Sequence, residues 1–405
     1  MTGHPTTSRR GTRPGLALAS ASASALLLVP LLAGCTDNAS AGAAGDTVDG
    51  DGRALTVQAT DDGCQVSADT APSGNLTFSV TNAGAQVTEF YLLASDGLRI
   101  VGEVENIGPG LSRDLVLAAP AGSYFTACKP GMVGDGIRAP FAVSDSGEDL
   151  APTGDDKALV DQANASYAAY VEDQTQQLVT KTDAFAAAYT AGDDAEARAL
   201  YPRARVHWER IETVAESFGD LDPKMDLREA DLEPGQEWTG WHRMEKDLWP
   251  ARAKGYQPLS PAERKTYADD LVENTASLDR QVRELTFTAD QIANGTRGLL
   301  DEVATGKVTG EEEYWSRTDL WDFQANVDGA RVGFDGLRPL LQRKDPELDT
   351  QIDERFTALQ TLLDAQKEGD GFVSYDELSA AEVKGLSDAV NALSEPLSKL
   401  TAAVV

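Results

Sequence analysis

The sequence predicts a multidomain β plus all-α protein: a β-sandwich followed by a helical bundle. Three observations carry this. From Arg53 to about Ser144, short runs alternate apolar with polar residues and are punctuated by Gly, Pro, Asn and Asp, the period of strands half-buried against a core. Past Lys157 the texture changes to long segments with helical spacing, where Val171, Leu178 and Phe185 recur every seven residues among alanines. Between the two lies a stretch of Ser, Gly, Asp, Glu and Pro with little apolar content, read as a linker over 145–157.

In chain order, Arg9, Arg10 and Arg13 head an apolar run from Leu16 to Leu32, which ends in Leu32-Ala33-Gly34-Cys35. A charged head, an apolar stretch and small residues at its end describe an export signal over 1–34. The cysteine directly after Ala-Gly is similar to a bacterial lipobox, so Cys35 is the expected site of lipidation. The mature chain is then extracytoplasmic and lipid-anchored to the cell membrane in the periplasmic manner. Residues 35–52, rich in Ala, Gly, Asp, Ser and Thr, read as its flexible tether.

The expected sandwich spans 53–144. Leu55, Val57 and Ala59 mark one strand; Leu76, Phe78 and Val80 mark another. Glu89–Ala94, Asp114–Ala118, Ser123–Ala127 and Pro140–Val143 are further short runs. The helical part is expected over 158–405, with helices at about 158–191, 195–217, 238–254, 260–293, 296–305, 311–343, 347–367 and 376–402. All six tryptophans fall in it, consistent with a packed core.

Charge narrows the function. Acidic residues number 66 against 35 basic ones, for a net charge of −31. Phosphate backbones and anionic lipid surfaces would be repelled, which excludes nucleic-acid binding and a basic membrane face. A field of this sign concentrates cations. Only three histidines are present, and one stands in Trp241-His242-Arg243-Met244-Glu245. At i and i+3 on a helix, His242 and Glu245 share a face. Glu209 and Glu212 form a second i,i+3 pair upstream, and Asp226 follows in Pro223-Lys224-Met225-Asp226. Imidazole and carboxylates on facing helices are how bundles hold metals. A zinc-dependent peptidase is the alternative to weigh. It calls for His-Glu-x-x-His, which is absent, and an oxygen-rich set with one imidazole suits a hard cation such as ferric iron better.

At these residues the chain resembles a known family. Glu209-Arg210-Ile211-Glu212, Phe218-Gly219-Asp220-Leu221-Asp222-Pro223, Trp241–Lys246 and the string Arg317-Thr318-Asp319-Leu320-Trp321-Asp322-Phe323-Gln324-Ala325-Asn326-Val327 look like the imelysin-type, HxxE-containing domain of the EfeO family. The β part is similar to that family's cupredoxin-like domain. The resemblance covers roughly 53–405 and implies an iron-binding component of an EfeUOB-type uptake system. Such a protein presents iron to an EfeU-like permease and works with an EfeB-like haem peroxidase. It implies a metal site at His242 and Glu245 with Glu209, Glu212 and Asp226; no enzyme activity is expected of the chain, with ferrous oxidation in the β part left open.

For the β part the resemblance implies copper or iron held by Cys64, Glu89 and Cys128. Residues 53–144 contain no histidine, which excludes a type 1 copper site. The family's methionine before the last cysteine is Thr126 here. Cys64 and Cys128 would also face an oxidising compartment, where a disulfide forms; ligand pair and disulfide both stand. Asp370–Glu377 imitates half of an EF-hand loop, but Gln366 sits where the first Asp belongs, so a calcium loop is not expected and a plain turn between helices is.

Overall fold

In the computed structural model the described residues are 52–405, except 98, 135, 149–151 and 233. The expected signal (1–34), its Cys35 and nearly all of the tether lie outside them.

Nine strands come first: β1 (Ala54–Thr60), β2 (Gly63–Val66), β3 (Thr70–Pro72), β4 (Gly74–Asn82), β5 (Thr88–Leu93), β6 (Ile100–Ile107), β7 (Ser112–Ala119), β8 (Gly122–Cys128) and β9 (Ile137–Ser144). They form two mixed sheets, ordered β2-β1-β4-β7 and β3-β9-β8-β5-β6. The β1/β4 and β3/β9 pairs are parallel, and the other pairs are antiparallel. Leu55, Val57, Leu76, Phe78 and Val80 from one sheet meet Phe90, Leu92, Tyr124, Phe141 and Val143 from the other. Strict alternation on β1 and β4 is what placed them correctly in the sequence. Strands β2, β3 and β6 were not expected. The first two are only four and three residues long and too short to show alternation, and β6 carries Gly102, Glu103, Glu105 and Asn106 with a broken register against β5.

The helices are α1 (Gly154–Ala191), α2 (Asp194–Glu209), α3 (Leu221–Asp226), α4 (Gly240–Leu248), α5 (Pro261–Val282), α6 (Ala289–Thr305), α7 (Asp319–Lys344), α8 (Pro346–Asp364), α9 (Ala380–Leu397) and α10 (Leu400–Val404). A hairpin of β10 (Lys367–Glu368) and β11 (Gly371–Phe372) joins α8 to α9, so the EF-hand look-alike is a tight β-turn. One core runs through the bundle, with Val171, Leu178, Phe185, Tyr201, Trp208, Trp241, Phe323 and Phe334 buried.

Several boundaries differ from expectation: the helix expected over 260–293 ends at Val282 and α6 begins at Ala289, and the one expected over 238–254 ends at Leu248; three further differences bear on function. The helix expected over 195–217 stops at Glu209, whose freed backbone carbonyl accepts Asn326 Nδ2 at 2.9 Å; a 3-10 turn over Glu212–Phe218 follows. The break expected at Gly295 does not occur. Helix α6 runs through it, because a Cβ at this position would lie 1.9 Å from the Thr213 carbonyl oxygen; the glycine admits the 3-10 turn rather than ending the helix. The segment expected to open α7 at 311 is a turn until Asp319, and it carries Glu311, Glu312 and Glu313.

The sandwich joins the bundle through α6. Strand β7 is the edge of its sheet, and its outward main-chain groups are met by α6 side chains. Arg297 Nη1 donates to Asp114 O at 3.2 Å, Asn294 Nδ2 donates to Val116 O at 2.9 Å, and Ala118 N donates to Asp290 Oδ2 at 3.0 Å. Alternate residues of a strand meet residues three and four apart on a helix. Arg113 adds an ion pair to Asp301 at 2.6 Å.

Candidate metal centre

Helix α4 opens at Gly240, where φ is +80° and a Cβ would collide with the Met225 carbonyl oxygen at 2.1 Å. Only glycine allows α4 to start against the end of α3. That close approach brings His242 over Asp226. His242 is 1% exposed. Its Nε2 lies 3.4 Å from Asp226 Oδ1 and 3.4 Å from Glu312 Oε1; its Nδ1 meets Glu245 Oε2 at 3.2 Å. The other Glu245 oxygen accepts the backbone N–H groups of Trp315 at 2.7 Å and Ser316 at 2.6 Å. Glu245 thus ties the turn bearing Glu312 to α4 and fixes the imidazole from behind, as carboxylates behind metal-bound histidines do.

On the other side of the centre, Glu209 and Glu212 converge, although α2 ends at Glu209 and Glu212 opens the 3-10 turn, so it is not a shared helical face that joins them. Lys307 Nζ donates to Glu209 Oε2 and Glu212 Oε2, each at 2.6 Å, and Asn326 Nδ2 reaches the same two oxygens at 3.0 and 2.9 Å. Arg205 is fully buried between the halves. It donates to Glu209 and Asp226 and pairs with Glu313 Oε1 at 2.7 Å. Its strong pairing offsets a desolvation that would otherwise be prohibitive.

Three groups of side chains present ligand atoms within 4.8 Å of one another among the described residues: Asp226, His242 and Glu312; His242, Glu245 and Glu313; and Glu209, Glu212 and Asp226. The five helical residues singled out in the sequence therefore gather at one place. Glu312 and Glu313 were missed. Their signal was the acidic run Glu311-Glu312-Glu313 ahead of the Arg317–Val327 string, hidden by reading the run as the solvated start of a helix.

The electrostatics are those of buried carboxylates crowded around a few cationic groups. Burial and Arg205 push the His242 imidazole down, yet the flanking Asp226, Glu245 and Glu312 hold it well above the usual histidine range. Burial raises Glu313 to about 8, helped by the charge of Glu245, and Glu302 to about 7. Burial likewise lifts Asp322, whose carboxylate oxygens have no hydrogen-bond partner, well above its ordinary value. For Asp226 and Glu312 burial acts in the same direction but is outweighed. Arg205 and His242 hold Asp226 well below the carboxylate range, and Lys307 and His242 bring Glu312 to about 2.

Two openings reach the centre. A cleft of about 610 Å³ lined by Arg228, Asp231, Tyr314 and Trp315 borders the buried His242 and Glu312. A cavity of about 480 Å³ between sandwich and bundle borders Asp226, Glu212, Glu302 and Glu312 from behind. Glu103 and Glu105 form part of its wall with Tyr91.

In the β part, of the two readings left open for the cysteines, the structure shows the disulfide and not the ligand pair. Cys64 and Cys128 are joined in a disulfide, with Cα atoms 5.4 Å apart, so neither offers a thiolate. Phe90 pairs with Cys128 on the core face, and alternation turns Glu89 to the opposite face. There Glu89 accepts the Tyr91 hydroxyl and lies 3.8 Å from Lys129 Nζ. The ligand set Cys64, Glu89 and Cys128 is not assembled, and a copper site is not built from it. A two-histidine zinc centre is not formed either. His207 Nδ1 bonds Gln174 Oε1 at 2.8 Å on another face of α2, and its pKa is lowered by burial to about 4.

Fold and centre together define a protein with a β-sandwich packed on a helical domain whose core holds a single histidine among converging carboxylates. The profile of the imelysin family, which carries a peptidase label, matches residues 163–400. Over 349 residues the chain is 38% identical to the iron uptake system component EfeO of Escherichia coli O1:K1, covering 85% of this chain and 89% of that protein. It is 37% identical over 350 residues to the proteins of the same description in Escherichia coli K12 and Shigella flexneri, with the same coverage. The chain belongs to the EfeO family of imelysin-domain proteins.

Proposed function

We propose that the protein captures iron outside the cytoplasm and presents it to a membrane permease of the EfeU kind, working with an EfeB-like haem peroxidase and held at the membrane through a lipid on Cys35. The observation that carries this is the convergence of Asp226, His242 and Glu312 in the helical core, open to a cleft on one side. Carboxylate oxygens with one imidazole suit ferric iron. The relatives' description as iron uptake system components supports the same cargo.

Loading exchanges protons for metal. His242 must give up the Nε2 proton to become a ligand, while Glu245 keeps the Nδ1–H in place and so holds the ring's aim. Asp226 and Glu312, already ionised, supply oxygens on either side of Nε2. The role is binding and transfer rather than hydrolysis, since no second imidazole stands at the centre among the described residues.

Isothermal titration of the full chain with ferrous and ferric iron tests the reading. Wild type should bind, and a His242→Ala, Glu245→Ala variant should bind far more weakly. Equal affinity in the two would overturn the site.

A further inference from the structure

Lys307 occupies a place where a cation belongs. It is 1% exposed and sits on a short 3-10 turn, Lys307–Thr309, between Gly306 and Gly310. Its ammonium stands 2.6 Å from Glu209 Oε2 and 2.6 Å from Glu212 Oε2. Those two residues, with Asp226, form one of the groups whose ligand atoms cluster within 4.8 Å. A metal bridging Glu209 and Glu212 would need the volume that Nζ now fills. A lone buried ammonium is costly, and so are two facing buried carboxylates; each makes the other tolerable.

The geometry points to Lys307 as a built-in competitor of the cargo: an internal cation that fills the Glu209–Glu212 half of the centre when iron is absent and is displaced when iron occupies it. This rests on the iron-capture reading and adds what sets the affinity. Tyr375 donates from its hydroxyl to Val308 O, and its ring lies where a Cβ on Gly310 would be, so the backbone of the turn is pinned. Exchange is therefore a swing of the side chain. The cavity between sandwich and bundle borders Glu212, Glu302 and Glu312, whose charges already act on the ammonium, so the open volume it would swing toward is lined by carboxylates. The same exchange in reverse expels the metal. Capture can thus be tight enough to load and still permit hand-over.

The test uses the full chain and ferric iron supplied as its citrate complex. Lys307→Met should raise the affinity about tenfold or more and slow dissociation in proportion, because the competing charge is gone. Lys307→Arg, which keeps the charge, should stay near wild type. On wild type, amine acetylation followed by peptide mass spectrometry should label Lys307 at least about threefold more in the iron-loaded protein than in the empty one, since buried amines resist the reagent. This arm decides the matter if Lys307→Met does not fold. Unchanged or weaker binding by a folded Lys307→Met, or equal labelling of the two wild-type forms, would overturn the inference. Failure of wild type to bind iron at all would instead overturn the capture reading.

Discussion

Glu312 Oε1 stands 3.4 Å from His242 Nε2, although 70 positions separate the two residues. The contact turns a helical His/Glu pair into a group with an oxygen on the open side of the imidazole. Glu312→Gln keeps the volume and removes the charge. It should weaken ferric binding by about 10- to 100-fold, the scale on which supports of metal sites act. Glu311→Gln, at an exposed neighbouring position, should leave titration curves unchanged.

Glu245 has a second role that separates from metal binding. Its Oε1 accepts the buried N–H groups of Trp315 and Ser316. Glu245→Ala would strand both donors and should destabilise the metal-free protein by about 2–4 kcal/mol in denaturant unfolding. Glu245→Gln retains an accepting oxygen and should lose less than half as much. Equal losses would mean that the two backbone bonds contribute little.

The buried acids set a pH dependence. Glu313 is raised from 4.5 to about 8, and Glu302 from 4.5 to about 7. The folded state therefore binds more protons than the unfolded state across that window. The linkage slope is negative: this share of stability is full below about pH 4.5 and is lost as pH rises through about 7 to 8. Melting of the metal-free protein should fall over that range. Bound iron supplies the missing positive charge, so the gain in melting temperature on loading should grow with pH. A gain that shrinks with pH would contradict the assignment.

The Cys64–Cys128 bridge closes a sequence separation of 64. By chain entropy, Cys64→Ser with Cys128→Ser should cost up to about 4 kcal/mol. Thiol titration of the oxidised, denatured mature protein should find neither cysteine reactive. Iron stoichiometry should be the same in the double variant, because the centre lies wholly in the bundle.

Much of this was legible in the chain. Strict alternation revealed β1 and β4, and helical recurrence revealed α1. The i,i+3 spacing declared His242 with Glu245, since neighbours on one turn share a face; Glu209 and Glu212 also meet, but across the end of α2 and not on one helical face. What could not be read is what the fold alone brings together. Glu312 reaches His242 only because Glu245 seizes the turn that carries it, a long-range tie with no periodic trace. Gly295 looked like a helix end, because a glycine needed for close approach is indistinguishable in sequence from one needed for a turn. Lys307 was invisible as a site residue because a lysine among carboxylates ordinarily faces water.

The clasp of α6 on β7 has a consequence for the sandwich by itself. Asp290, Asn294 and Arg297 bind main-chain atoms at 114, 116 and 118, so apart from the Arg113–Asp301 ion pair the helix reads the strand's geometry. Here the helix does what a neighbouring strand would do, and it shields a ribbon of backbone that other chains could otherwise extend. Expressed without the bundle, the sandwich would present that ribbon bare and should self-associate through it. The helical half of the protein is thus also the chaperone of its partner, and a proline at Ala118, which abolishes the main-chain donor that Asp290 accepts, would loosen the two halves without touching the Arg113–Asp301 pair.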